Sequence, residues 1–115
     1  MVDGSRRCHR EASRDRYRAR MAALDAWRVD EFASSLTSCA ANTVASYRRD
    51  VASFVDWAER LGLDGPRVVD RTTLRRYLAY LHTRNFAKRS IARAASALRR
   101  YFGWLVRTGT VSASS

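Results

Sequence analysis

Seven side chains between Arg84 and Gly109 are Arg or Lys, and none in that stretch, RNFAKRSIARAASALRRYFGWLVRTG, is Asp or Glu. A guanidinium offers a planar fork of N–H donors that fits two oxygens of a phosphate or the edge of a guanine, but it stays protonated and cannot shuttle protons near neutral pH. The chemistry on offer is therefore recognition rather than catalysis. The stretch has helical periodicity. At ~100° per residue, Arg89, Arg93, Ser96, Arg100 and Arg107 fall within an arc of roughly 60°, opposite an apolar line of Ile91, Ala95, Leu98, Phe102 and Leu105. A solvated helix face mixes signs, with acids three or four residues from bases to relieve repulsion. An unmixed stripe expects a polyanion: nucleic acid first, with structured RNA or an acidic protein as the alternatives.

The charge is also segregated along the chain. The net charge is +11 over 115 residues. Arg71 to Arg107 holds ten basic residues and no acid, whereas Met21 to Asp70 holds eight acids against five Arg. Solubility needs no such separation, but a polyanion-binding surface does.

Other chemistries lack their residues. The two cysteines, Cys8 and Cys39, and the two histidines, His9 and His82, show no metal-ligand spacing. No Gly-rich phosphate loop, carboxylate pair or nucleophile–base grouping is present. Asp50 and Asp56 suit surface ion pairs with Arg49 and Arg60, and Tyr47 and Tyr101 sit at packing positions. The sequence thus predicts no metal, no cofactor and no small-molecule substrate. No apolar run approaches the ~18 residues of a membrane span, and no leader-like apolar segment opens the chain. The expected location is cytoplasmic, with no membrane partner.

The elements that must position the arginines are all helical. Residues 1–20 are polar without an apolar period and read as a flexible basic extension. A first helix runs from Leu24 to Leu36 on Leu24, Trp27, Phe32 and Leu36. A second, Asn42 to Leu61, carries Val44, Tyr47, Val51, Phe54, Val55, Ala58 and Leu61, with Asn42, Ser46, Arg49 and Ser53 on its opposite face and Gly62 as its stop. A third, Thr72 to Thr83, is capped by Thr72 or Thr73 and buries Leu74, Leu78 and Leu81 with Tyr77 beside them. The quoted stretch supplies the fourth, Ala87 to Val106. The expected fold is all-α: a four-helix bundle over residues 21–109, with 110–115 beginning a linker or tail.

The segments NTVASYRRDVASFVDWAERLGL and TTLRRYLAYLHTRNFAKRSIARAASALRRYFGWLVRTG resemble the N-terminal core-binding domain of phage-integrase-type tyrosine recombinases, especially the Xer-like group. The resemblance rests on Asn42-Thr43, Tyr47-Arg48-Arg49-Asp50, Phe54 and Trp57, on Tyr77-Leu78 to Leu81, and on Arg89-Ser90-Ile91, Arg93, Ser96-Ala97-Leu98-Arg99, Tyr101-Phe102, Trp104-Leu105 and Gly109. It implies a SAM-like orthogonal bundle that forms half of a clamp around duplex DNA at a recombination site, serving DNA integration and site-specific recombination. The second and fourth helices would face DNA and the first would meet a neighbouring protomer. The implied DNA-binding residues are Asn42, Thr43, Ser46, Arg49, Lys88, Arg89, Arg93 and Arg100, with Arg89 and Arg93 reaching base edges.

Two departures stand out. Ala40 and Ala87 occupy positions where the family often has a capping Ser, leaving Ser38 as a substitute before the second helix. The family's catalytic Arg, Lys, His and Tyr belong to a following domain, and no residue here matches them. By this resemblance the chain is non-catalytic alone, and Tyr47 and Tyr101 match packing positions.

Overall fold

The computed structural model describes the backbone of residues 3–111 and the side chains of residues 14–111. It is all-helical, with no strand among the described residues. The order is α1 (Asp3–Ala26), α2 (Val29–Ser35), α3 (Ala41–Arg60), a short 3-10 turn (Pro66–Val68), α4 (Arg71–Thr83) and α5 (Lys88–Arg107). There are five α-helices rather than four, because the expected first helix is two.

The break falls at Trp27–Arg28, and the positions of the apolar residues explain it. On one straight helix, Leu24 and Trp27 would point about 140° away from Val29, Phe32 and Leu36. Leu24, Trp27, Val29 and Phe32 are nonetheless all buried. The chain reconciles them by turning at Arg28, which adopts φ 58° and ψ 38°, a left-handed conformation costly for a residue with a Cβ. Tertiary contacts hold it there. The Arg28 guanidinium donates to Glu31 Oε2 at 2.8 Å and to Thr108 Oγ1 at 3.2 Å, and it lies 4.6 Å above the Trp104 ring. Trp27 donates its indole N–H to Glu59 Oε1 at 2.8 Å, and Tyr101 donates its hydroxyl to the Trp27 carbonyl at 2.6 Å.

Residues 3–20, expected to lack regular structure, are instead part of α1. Between Gly4 and Gly62 the chain has neither Gly nor Pro to stop a helix, and Ala, Arg, Met and Leu are good formers. Residues 14–22 of α1 are exposed, and only its last turn, at Ala23 and Leu24, enters the core. At the other end, Thr110 is half-buried and Val111 buried, so the bundle extends past Gly109, and residues 112–115 lie outside those described.

The caps differ from expectation in two places. Asp70, not Thr72 or Thr73, caps α4, accepting from the Thr73 backbone N–H at 2.8 Å. That bond, first among its contacts, holds the Asp70 carboxyl below the ordinary carboxylate range. No side chain caps α3 or α5, which begin after Ala40 and Ala87, so Ser38 does not take the missing role. Gly62 follows α3 at φ 83°, in the left-handed conformation that ends helices.

The core is aromatic. Trp27 meets Phe54 edge-on at 5.9 Å, Phe54 meets Tyr77 at 5.1 Å, and Phe32 meets Tyr101 at 5.4 Å. α3 buries Val51, Phe54, Val55 and Ala58 as expected, but Val44 and Tyr47 are half-buried and Leu61 is exposed. In α4 the buried pair is Tyr77 and Leu81, with Leu74 and Leu78 only half-buried. In α5 the buried set is Ile91, Ala94, Ala97, Leu98, Tyr101, Trp104 and Leu105. Ala95 and Phe102 drop to half-buried, so the buried face is broader than a narrow seam and is rotated by roughly 60°. The cause is that α5 packs on several elements at once, with its broadest contact to α3.

Candidate nucleic-acid interface

Two helices carry the residues singled out for binding. On α3, Asn42 and Arg49 are exposed and Ser46 is half-buried, and all three share one outward arc. Thr43 is half-buried on the flank of that arc. On α5, Lys88 and Arg89 are exposed in the first turn, and Arg93 and Arg100 follow on the side that meets α3.

Arg93 joins the two arcs. Its Nε donates to Asp50 Oδ2 at 2.9 Å and its Nη2 to Asp50 Oδ1 at 3.2 Å. The Asp50 side chain is 11% exposed and that of Arg93 42%. A carboxylate therefore occupies the fork that the resemblance reserved for a base edge, and only the remaining N–H groups of Arg93 are left for another partner. Asp50 pairs with Arg93 and not with Arg49, whereas Asp56 does meet Arg60, at 3.4 Å.

Arg100 is held in a different way. Its Nη1 is 3.3 Å from Cys39 Sγ, in the turn between α2 and α3, and its guanidinium lies 5.7 Å from the Tyr47 ring centre. Arg93 and Arg100 thus border the α3 side of the outward face of α5 instead of standing at its centre. The rotation of the buried face has a second result: Ala92, Ser96 and Arg99 are exposed on the outward side. Arg99 was missed because it lies outside the arc drawn opposite the narrower expected seam.

Beside the Arg93–Asp50 pair, a cleft of about 250 Å³ opens between α3, α4 and α5, walled by Trp57, Tyr77, Tyr80 and Phe86. Burial pushes the Tyr77 hydroxyl up to about 12, with the Asp50 charge adding to the effect. Burial likewise raises the Tyr101 phenol, which is spent on the Trp27 carbonyl. Tyr47 lies beneath Arg100. None of these phenols is arranged as an activated nucleophile. Among the described residues, no group of three or more His, Cys, Asp and Glu could hold a metal. No described helix is long and apolar enough to cross a membrane.

What this face can do is bind: several guanidiniums and one ammonium, no acid along α5, and one internal carboxylate that fixes Arg93. Comparison with known proteins places the arrangement. Residues 29–109 match the family model for the phage integrase N-terminal SAM-like domain. Over 74 residues the chain is 34% identical to the tyrosine recombinase XerC of Xanthomonas campestris pv. campestris strain B100, covering 64% of this chain and 23% of the relative. The identity is 43% over 68 residues with XerC of Azotobacter vinelandii (59% and 23%). With XerC of Xanthomonas axonopodis pv. citri it is 36% over 99 residues (75% and 32%). The chain thus spans about a quarter to a third of the length of these relatives. No solved structure matches it. The family match runs from the first residue of α2 to Gly109, just past α5, and takes in every candidate binding residue, so the chain belongs to the phage integrase N-terminal SAM-like domain family.

Proposed function

We propose that this chain is the DNA-binding domain of a tyrosine recombinase, clamping duplex DNA at a recombination site without performing strand chemistry of its own. The observation that carries the reading is the acid-free face of α5 adjoining the outward arc of α3. The contacts assigned to DNA are Asn42, Thr43, Ser46 and Arg49 on α3, and Lys88, Arg89, Arg93 and Arg100 on α5. Most go to phosphate, which fixes position on the duplex but carries little sequence information. Arg89, exposed in the first turn of α5, is the better placed of the two arginines expected to reach a guanine edge, because Arg93 has its fork on Asp50.

Several finer points belong to the same reading. The last turns of α1 together with helices α2 to α5 form the SAM-like orthogonal bundle over residues 21–109. The region expected as the first helix, Leu24 to Leu36, which comprises the end of α1 and α2, meets a neighbouring protomer when several copies assemble on one site. The domain works in the cytoplasm, where its DNA is, and uses no cofactor. The test is anisotropy of a fluorescent ~30-base-pair duplex at several salt concentrations. Duplex binding driven by phosphate contacts weakens with a log–log slope of about −0.9 per contact. A steep slope that becomes shallower in Arg89→Ala supports the reading. No duplex binding at low salt, alongside tight binding to a structured RNA or an acidic protein, would replace it with a helical RNA- or protein-binding module.

A further inference from the structure

The duplex reading leaves the cleft between α3, α4 and α5 unused, apart from the Asp50–Arg93 pair in its wall. The rest of that wall is largely aromatic: Trp57, Tyr77, Tyr80 and Phe86 line it. We infer that the cleft binds a small planar aromatic acid, its ring among those four side chains and its carboxylate on Arg84, with the Tyr77 hydroxyl donating to it. The inference does not rest on the DNA-binding reading, and its test contains no DNA.

Tyr77 is the first argument. It is 3% exposed, yet its hydroxyl has no hydrogen-bond partner among the described residues. Tyr101, the other deeply buried phenol, donates to the Trp27 carbonyl. A buried hydroxyl left unpaired costs free energy. No sealed side-chain oxygen among the described residues lacks a partner, so the Tyr77 oxygen is not sealed and reaches the open space of the cleft. Burial, with the Asp50 charge adding to it, raises this phenol to about 12. At neutral pH it therefore keeps its proton and can donate it.

Charge is the second argument. Arg93 is paired with Asp50, and Arg60 with Asp56. Arg84 lies 5.8 Å from the Tyr80 ring centre, and no acid among the described residues pairs with it. One unpaired guanidinium matches the single charge of a carboxylate, which it can hold through two parallel hydrogen bonds. A phosphate monoester brings nearly twice that charge. Both aspartates already have arginine partners, which offsets their repulsion of an incoming anion.

Size and shape are the third. The volume of about 250 Å³ equals about eight waters at ~30 Å³ each, just below the roughly 300–1,000 Å³ of sites for drug-sized ligands. That suits one ring with a short acid. Trp57 and Tyr77 are 5.2 Å apart and tilted by 56°, while Tyr77 and Tyr80 are 6.3 Å apart and closer to parallel at 25°. The walls thus offer ring faces and ring edges together, and aromatic pairs favour offset and edge-on contacts. Phe86 lines the cleft while half in solvent, which marks the way in.

The experiment titrates benzoate into the isotopically labelled full chain and follows the indole N–H signals of its tryptophans. Trp57 lines the cleft, and Trp27 and Trp104 do not. The Trp57 signal should shift saturably with a Kd of about 1 mM or tighter, while the other two stay in place. Benzamide, the uncharged analogue, should bind about tenfold more weakly, as should benzoate to Arg84→Gln. Tyr77→Phe should weaken benzoate about threefold. Arg84 is exposed, so its variant remains readable even where Tyr77→Phe disturbs the core. Equal binding of benzoate and benzamide, unaffected by Arg84→Gln, would make the cleft a plain apolar hollow and overturn the proposal. A Trp57 signal that never moves, even at benzoate concentrations far above that Kd, would overturn it as well.

Discussion

Asp50 on α3 holds Arg93 on α5 through two parallel hydrogen bonds, 2.9 and 3.2 Å long, across 43 positions of sequence. The carboxylate is nearly buried and the guanidinium is half in solvent. Asp50 therefore competes with any outside ligand for the Arg93 fork. In Asp50→Asn the charge that restrains Arg93 is gone. Nonspecific duplex binding should become tighter, with a salt slope steeper by about 0.9, while stability falls by about 1 kcal/mol for the weakened pair. Paired anisotropy and urea-unfolding curves check both numbers. An unchanged slope would mean that Arg93 meets no phosphate even when released.

Arg28 combines an unfavourable backbone with favourable side-chain contacts, and the two can be separated. Arg28→Ala loses the Glu31, Thr108 and Trp104 contacts and keeps a left-handed residue with a Cβ. Arg28→Gly loses the same contacts but relaxes the backbone. The glycine variant should be more stable than the alanine variant by about 1 kcal/mol, with both below the unaltered chain. Equal midpoints for the two in urea would show that the turn at Arg28 stores no strain.

Alkali tests the aromatic core. The Tyr77 hydroxyl is raised to about 12 from an ordinary value near 10, chiefly by burial. A phenol with its folded value above its unfolded value contributes stability that is fully present below about pH 10. It is lost as the pH rises from 10 to 12, because the unfolded chain ionises first. The melting temperature should fall through that window, and Tyr77→Phe should flatten the fall. Tyr101, shifted in the same direction by burial, adds to the slope that remains.

Core and surface on α5 should separate cleanly. Leu98 is 3% exposed, and Leu98→Ala should cost about 2–5 kcal/mol of stability. Its duplex salt slope should stay unchanged under conditions where the variant is folded. Arg89→Ala should do the reverse: the same melting curve and a slope shallower by about 0.9. A destabilised Arg89→Ala would mean that this arginine belongs to the fold.

The three later helices were legible almost to the residue. Asn42–Leu61 became Ala41–Arg60 and Ala87–Val106 became Lys88–Arg107, because long apolar periods and Gly62 leave little choice. The break at Arg28 was not legible. Steps of three, five and four between Leu24, Trp27, Phe32 and Leu36 pass for helical spacing, although they spread these residues over about half the circumference of a straight helix, and the burial of the first three requires the chain to turn. The partner of Asp50 was hidden for a related reason. Spacing reveals neighbours on one helix, but Arg93 comes from another. The arginine-rich face was visible as charge, yet its centre was misplaced. A helix packed on several elements buries a wider sector than a two-helix seam, and that rotation brings Arg99 onto the surface.

The seat of Trp104 has an optical consequence. Its indole lies beneath the Arg28 guanidinium, packs against Phe32 and lines a groove between α2 and α5 that Arg99, Arg100 and Arg107 also border. Trp27 is sealed in the core, and Trp57 is in the wall of the cleft by α4. The three indoles therefore sample three environments, and their emission is a built-in set of local probes. DNA laid along α5 beside this groove should perturb the emission of Trp104 while leaving Trp27 dark to the event, so binding can be followed in the unlabelled protein by the colour and intensity of its own light.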